Sequence, residues 1–168
     1  MCSSDLPDSV DFLKQVERNA CFEGAWTVSD FPRLAEVVCS NQGEVTARLK
    51  FGTRAGTNCL DGHVQAELEL RCERCLEPVK QHIESDFRFG LITSEDEADS
   101  LPKEFEPLLA QDYELSLLEL VEDEILLSLP IVARHDEECS EILQKHKDDD
   151  RVQHDTYKPF AGLKDLMS

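Results

Sequence analysis

A chain of 168 residues is long enough to bury a core as one domain without disulfide bridges or metal ions. Its 36 acidic residues against 17 lysines and arginines leave a net charge of −19. Such a charge repels a phosphate backbone, so it disfavours tight direct binding of RNA or DNA and favours a basic protein partner.

The seven cysteines are odd in number and scattered, which is not the pattern of a disulfide framework. The first residues carry no basic segment followed by an apolar one, so no signal peptide is indicated. The longest uncharged apolar run, residues 125–133, is far shorter than the roughly 20 residues that span a bilayer. We therefore expect a cytoplasmic protein with reduced thiols and no membrane contact.

The N-terminal part of the chain predicts two helices. An apolar stripe at helical spacing runs through residues 8–20, and Gly24 lies beyond its end. Residues 31–38 predict the second helix, with Asp30 as N-cap and Pro32 in the first turn, where its missing N–H costs little.

The middle of the chain predicts a β-sheet. Apolar and polar residues alternate over residues 45–51, and glycines in residues 52–62 indicate a loop or turn. Two more alternating runs, residues 64–72 and 79–91, flank a Cys-x-x-Cys turn. These strands predict an antiparallel meander. Polar residues in the apolar register of the third strand, Gln81 and Ser85, suggest that this strand lies at an edge.

Residues 94–111 are acidic and contain two prolines, which predicts an exposed loop. The best-specified helix follows over residues 117–129 and ends before Pro130. Its predicted N-cap is Ser116, with Glu119 three residues further on in the pattern of a capping box.

Three consecutive acidic residues lie in this helix. At 100° per residue, Glu122 and Asp123 fall on one side together with Glu119, whereas Glu124 falls on the other side among leucine and valine side chains. A carboxylate in that position must be paired or must lie where the helix meets a partner, because an isolated buried charge is costly.

The end of the chain changes character. Residues 141–168 predict a flexible acidic tail after a single domain of residues 1–140. The tail closes with Phe160 and Leu163 at helical spacing, which predicts a short apolar docking segment.

Four residues have the chemistry of a zinc site. Cys72-x-x-Cys75 and His135-x-x-x-Cys139 together supply the ligands of a tetrahedral Cys₃His centre, provided that the fold brings the two pairs together. Reduced structural thiols are the alternative.

Two other chemistries fit less well. A thioredoxin-like role needs Cys-x-x-Cys at the start of a helix, whereas Pro78 and a strand pattern follow here. The acidic triplet of residues 122–124 could hold Mg²⁺ for metal-dependent hydrolysis, but consecutive helical residues point in different directions. The scattered histidines, among them His63 and His82, are interpreted as surface residues.

Several motifs together resemble the YceD family of large ribosomal RNA subunit accumulation proteins. They are Leu-Arg-Cys-Glu-Arg-Cys-Leu-Glu-Pro-Val at residues 70–79, Val-Glu-Asp-Glu-Ile-Leu-Leu-Ser-Leu-Pro at residues 121–130, His135 with Cys139, and Lys-Pro-Phe-Ala-Gly-Leu at residues 158–163. Arg33-Leu34 also falls in the order of that family.

The resemblance implies a bacterial cytoplasmic protein needed for synthesis, processing or stability of large-subunit (23S) ribosomal RNA. It also implies a functional tie to a small zinc-ribbon protein of that subunit, and it establishes no enzymatic activity.

The sequence therefore predicts an α+β domain in which an antiparallel sheet packs against a long helix, with N-terminal helices alongside. Its expected function is that of a non-enzymatic ribosome-biogenesis factor that acts through a basic ribosomal protein or assembly factor, contacts rRNA indirectly and uses no small-molecule substrate. The interaction residues we predict are Glu122, Asp123, Glu124, Phe160 and Leu163. The alternatives are a zinc-binding module that serves the zinc-ribbon protein and a metal-dependent RNA hydrolase.

Overall fold

The computed structural model describes residue 7 and residues 9–139. The chain divides into two compact units, residues 1–134 and residues 135–168, and of the second unit only residues 135–139 are described. The predicted tail and its apolar segment with Phe160 and Leu163 lie outside the described residues. The predicted boundary at residue 140 therefore stays a prediction.

The first unit is an α+β fold built on a five-stranded sheet. The strands of the unit are β1 (Val10–Asp11), β2 (Cys21–Thr27), β3 (Glu44–Arg54), β4 (Thr57–Arg71), β5 (Pro78–Ile92), β6 (Glu106–Leu109) and β7 (Glu114–Leu115). The sheet order is β2-β3-β4-β5-β6, and β1 pairs with β7 in a separate two-stranded sheet. The predicted meander is present as β3, β4 and β5, but β6 joins β5 in parallel, so the sheet is mixed.

The long hairpin of β4 and β5 organises the sheet. Its register runs from the pair Cys59 and Gly90 to the pair Arg71 and Pro78. Residues at every second position of β4 from Val64 to Leu70 are buried, as the alternation predicts. One position of that face has to be glycine, because a Cβ on Gly62 would lie 2.0 Å from the ring of Phe87.

The edge position predicted for β5 holds over most of its length. Strand β6 pairs only with residues 89–92 of β5. Gln81 and Ser85 precede that segment and are partly exposed. The sheet therefore tolerates polar side chains in the apolar register there.

In the described residues, three helices accompany the sheet. They are α1 (Phe12–Glu17), α2 (Pro32–Val37) and α3 (Leu117–Leu127). Helix α1 buries Phe12 and Val16, and α3 buries Leu117, Leu120, Val121 and Ile125. The predicted N-cap of α3 is confirmed, since the Ser116 side chain accepts a hydrogen bond from the Glu119 N–H at 3.3 Å.

Several sequence-based boundaries are corrected. Helix α3 ends two residues earlier than predicted. Asp30 does not cap α2, because it accepts a hydrogen bond from the Thr27 N–H and belongs to a short 3₁₀ turn that precedes the helix. The predicted loops are also more ordered: strands occupy most of residues 52–62, and residues 94–111 contain a 3₁₀ segment and β6.

A carboxylate of α3 caps the N-terminus of α2. Glu122 is 4% exposed, and its Oε1 accepts hydrogen bonds from the N–H groups of Arg33 at 2.7 Å and Leu34 at 3.0 Å. Its Oε2 accepts from Arg33 Nε at 2.8 Å. Helix α2 begins with Pro32 after Phe31, whose side chain provides no cap, so Glu122 satisfies backbone donors that would otherwise lack a side-chain partner. The helical wheel placed Glu122 on the side of Asp123, and both bond Arg33, but the wheel did not indicate that Glu122 is buried.

We predict that Glu122→Ala lowers the free energy of unfolding by about 3 kcal/mol, because it leaves Arg33 Nε and the N–H groups of Arg33 and Leu34 without their acceptor. Glu122→Gln keeps an acceptor oxygen and is expected to cost roughly half as much. Asp123→Asn is the control, since Asp123 bonds the same guanidinium from a half-exposed position, where an ion pair contributes about 0.5 kcal/mol. Urea denaturation measures all three variants, and equal effects of Glu122→Ala and Asp123→Asn would contradict the capping role.

Candidate metal centre

The Cys72–Cys75 turn closes the β4–β5 hairpin. Cys72 continues the buried register of β4, and its N–H donates to the Glu77 carbonyl at 2.9 Å. The Leu76 N–H donates back to the Cys72 carbonyl, also at 2.9 Å. Leu76 has a φ of 66°, a left-handed conformation that lets the chain reverse within six residues, 72–77. The two thiols are thereby held on one tight turn.

The turn also presents a backbone donor to sulfur. The Arg74 N–H donates to Cys72 Sγ at 3.4 Å. Cys72 is buried and Cys75 is partly exposed.

The segment after α3 approaches the same turn. The Glu73 N–H donates to the Ala133 carbonyl at 2.9 Å, and Ala133 is buried. His135 follows two residues later in the sequence. This backbone bond fixes the part of the chain that leads into the second predicted ligand pair.

Among the described residues, one group of potential metal ligands lies together. One ligand atom from each of Cys72, Cys75, His135 and Cys139 lies within 4.8 Å of the other three. The group consists of three thiols and one imidazole, which is the donor set of a Cys₃His zinc site. The cluster could bind a metal ion.

The other described cysteines lie elsewhere. Cys59 is buried, its Sγ donates to the Gly52 carbonyl at 3.4 Å, and burial raises the pKa of its thiol. Cys39 is exposed and forms no disulfide. Cys21 is disulfide-bonded, so the expectation that every thiol is reduced is wrong at this position.

The acidic triplet of α3 does not form a second cluster. Glu122 and Asp123 both bond Arg33, with Asp123 Oδ1 2.6 Å from Arg33 Nη1. Glu124 lies on the opposite side of the helix, near Ser85 of β5. The prediction that consecutive helical carboxylates cannot converge on one ion is confirmed by these different partners.

Glu124 occupies the half-buried position that the helical wheel indicated. Burial raises the pKa of its carboxyl group, and the negative charge of Glu106 raises it further, while the hydrogen bond with Ser85 acts in the opposite direction. The predicted interaction roles of Asp123 and Glu124 stay predictions. For Glu122 the structure shows a role inside the fold.

The two described strand histidines lie at the surface, as interpreted from the sequence. His63 Nδ1 lies 2.7 Å from Asp86 Oδ1, and His82 contacts Glu67. All four side chains are on the solvent face of β4 and β5. They stabilise the hairpin as cross-strand pairs.

Sequence reasoning missed two contributors to the site. Arg33 holds α2 to α3, and the only signal for it was its place in the motif order of the resembled family. The bond from Glu73 to Ala133 had no signal, because backbone hydrogen bonds between distant segments depend on the fold rather than on side-chain type.

Comparison with known proteins indicates the family to which this chain is related. A family model described as large ribosomal RNA subunit accumulation protein YceD matches residues 60–167. The chain is 34% identical over 139 residues to the large ribosomal RNA subunit accumulation protein YceD of Haemophilus influenzae, which covers 82% of this chain and 80% of that relative. No solved structure matches the chain.

The environment of Glu124 predicts a pH-dependent effect. A carboxyl group with a raised pKa in the folded state stabilises the fold when protonated and loses that contribution as the pH rises through its folded pKa. We therefore expect Glu124→Gln to increase the free energy of unfolding at pH 7 by about 0.5 kcal/mol, a small value because the group is partly solvated. The gain should shrink on acidification and vanish below the ordinary pKa of 4.5.

Chemical denaturation between pH 4 and pH 7.5 measures this difference. Glu36→Gln is the matched control. Glu36 is an exposed glutamate of α2, so its substitution removes the same charge without relieving the burial of a carboxylate. If the free energy of unfolding at pH 7 increased equally in both variants, the cause would be the change in net charge. That result would contradict the role of burial.

Proposed function

The chain belongs to the YceD family of large ribosomal RNA subunit accumulation proteins, and from this we propose that it supports accumulation of large-subunit ribosomal RNA in a bacterial cytoplasm. The observation that carries the proposal is the extent of the match. It includes the Cys72–Cys75 turn, α3, and the sequence of the predicted docking segment with Phe160 and Leu163. No helix in the described part of the chain is long and apolar enough to cross a membrane.

The charge of the chain indicates how it would act. A net charge of −19 opposes contact with phosphates, since affinity for nucleic acid comes mainly from basic residues that displace counterions. Ribosomal proteins that bind rRNA need basic surfaces for the same reason. The proposed factor therefore contacts rRNA indirectly, through a basic ribosomal protein or assembly factor of the large subunit.

The outer face of α3 is the contact surface we favour within the described residues. Glu119 is exposed, and the Asp123 side chain is 52% exposed although it bonds Arg33. The buried Glu122 positions the helix that carries them. Charged residues at the exposed edge of an interface mainly determine the association rate and the choice of partner.

The proposed role is non-enzymatic. Glu122 and Asp123 bond the guanidinium of Arg33, and Glu124 faces β5, so the triplet does not offer one metal ion three carboxylates. This arrangement supports an interaction role over the metal-dependent hydrolase alternative.

We expect deletion of the gene to lower the ratio of large-subunit to small-subunit rRNA, and the wild-type gene on a plasmid to restore it. Quantitative electrophoresis of total RNA measures the ratio. Purified protein incubated with precursor rRNA and Mg²⁺ should leave the RNA at full length. Shortened RNA would support the hydrolase, and an unchanged ratio in the deletion strain would contradict the proposed function.

The contact surface predicts a specific effect of charge reversal. We expect Glu119→Lys combined with Asp123→Lys to weaken capture of the proteins released from purified large subunits by about tenfold or more, because two attractive charges become repulsive. The matched control is Glu95→Lys with Asp96→Lys, since both residues are exposed, lie in the 3₁₀ segment and give the same change in net charge.

Capture is measured with RNase-treated material and tagged protein whose thermal unfolding matches the wild type. Equal loss in both double variants would show that total charge, rather than the face of α3, determines binding. Unchanged capture by the α3 variant would contradict the proposed surface.

A further inference from the structure

We propose that an exposed aliphatic patch beside the acidic face of α3 is the centre of the surface that binds the basic partner. The patch consists of Leu76, Leu127, Ile131 and Val132. This inference rests on the proposed function, which supplies a basic protein as the partner. It adds the chemistry that holds that partner: a basic segment that also carries aliphatic side chains.

Three residues of the patch follow one another closely at the end of α3. Leu127 is 81% exposed, Ile131 is fully exposed and Val132 is 54% exposed. They fall within six consecutive positions, so even an extended chain keeps their Cα atoms within about 18 Å. A single exposed aliphatic side chain is ordinary, whereas a cluster of them is typical of a binding surface.

The segment that carries these residues is fixed at both ends. At the end of α3, the Ser128 N–H donates to the Glu124 carbonyl at 3.1 Å. At the other end, Ala133 is buried and its carbonyl accepts from the Glu73 N–H at 2.9 Å. The exposure of the side chains between these two points therefore belongs to a held segment, and does not result from fraying of a chain end.

Leu76 adds a fourth aliphatic side chain from the hairpin tip. The hydrogen bond between Glu73 and Ala133 places its turn beside the segment after α3. Leu76 has a φ of 66°, a conformation that glycine or asparagine adopts at lower cost, and it is 57% exposed. Neither the backbone nor core packing favours leucine at this position, whereas contact with an apolar side chain of a partner does.

The acidic face of α3 leads directly into the patch. Glu119, Asp123 and Leu127 are spaced four residues apart, so they lie along one side of the helix. The helical rise places the backbone of Leu127 about 6 Å from that of Asp123 and about 12 Å from that of Glu119. The surface is therefore acidic at one end and aliphatic at the other.

The hairpin tip adds no net charge to this surface. Arg71 and Arg74 balance Glu73 and Glu77 in its sequence. The attraction for a cationic partner therefore comes from α3, and the contribution of the tip is the side chain of Leu76.

These features define the chemistry of the partner. It presents aliphatic side chains to the patch, and lysine or arginine side chains about 6 Å and 12 Å away, opposite Asp123 and Glu119. A second copy of this chain fits poorly, because each copy carries a charge of −19. Burial of the aliphatic centre supplies most of the affinity, whereas the carboxylates at its edge steer the approach.

The test uses salt to separate the two contributions. Tagged full-length protein is mixed with RNase-treated proteins released from purified large subunits, and bound proteins are identified by mass spectrometry. In about 0.5 M NaCl, charges further apart than about 4 Å are screened, whereas apolar contacts persist. There we expect the wild type to retain a basic ribosomal protein, and Leu127→Ser combined with Ile131→Ser to retain about tenfold less of it.

The matched control is Leu109→Ser. Leu109 is also an exposed leucine, but it pairs with Ile92 at the other end of β5, roughly 45 Å along the strand from Pro78. We expect this variant to retain the same protein as the wild type. If the Tm of the double variant falls, Ile131→Ser alone replaces it, because the fully exposed Ile131 side chain contributes little to the fold.

Two binding results would overturn the proposed centre and leave the proposed function intact. The first is equal retention by the wild type and the double variant in about 0.5 M NaCl. The second is a wild type that retains ribosomal protein only at low salt, since its affinity would then be electrostatic. A wild type that retains no large-subunit protein at either salt concentration would instead contradict the basic partner of the proposed function, and the centre with it.

Two further results would assign the patch to another occupant and so overturn the proposal. A dimer of the wild type that dissociates in Leu127→Ser with Ile131→Ser, measured by analytical ultracentrifugation, would identify a second copy. An equal fall in Tm for Ile131→Ser and for Phe160→Ser with Leu163→Ser would identify the C-terminal segment of the chain itself.

Discussion

The pairing of β4 with β5 is the constraint on which the rest of the structure depends. Side chains alternate between the two faces of a strand, so the register from Cys59 to Arg71 decides at once which residues enter the core. Cys72 is the next residue in the buried series of β4, and for that reason it lies under the turn rather than in solvent. A slip of one residue would reverse all of these positions. The apolar face and the position of the first cysteine therefore have a single cause.

The three acidic residues of α3 show that the role of a carboxylate depends on its position in the fold. The three residues have the same charge and follow one another in sequence, yet Glu122 caps α2, Asp123 stays half-exposed on the same arginine, and Glu124 lies against β5. Burial of Glu122 is tolerated because both of its oxygens accept hydrogen bonds from an arginine or from helix N–H groups. Glu124 has fewer partners, and accordingly its pKa rises. Some charged residues of a helix therefore stabilise the fold, and only the others remain available to bind a partner.

The sequence predicted the features that depend on local pattern. The alternation of β3, β4 and β5, the Ser116 cap of α3 and the Cys-x-x-Cys turn between strands follow from neighbouring residues alone. It did not predict β2, whose glycine and small residues blur the alternation, or β6, a four-residue strand that contains Pro107. The cap of α2 by Glu122 was also missed, because its donors lie 88 and 89 residues away. For the metal cluster, residue types gave the donors, and only the fold could give their proximity.

Self-repulsion gives the contacts between distant segments particular weight in so acidic a chain. A net charge of −19 opposes compaction, so contacts that join distant segments have to offset a repulsion that acts on the whole molecule. The pairing of Glu122 with Arg33 does so between α2 and α3 by using a cation from one helix against two carboxylates of the other. The protein can then remain strongly acidic at its surface, as binding to a basic partner requires, while the positive charge of Arg33 is placed where the two helices must be held together.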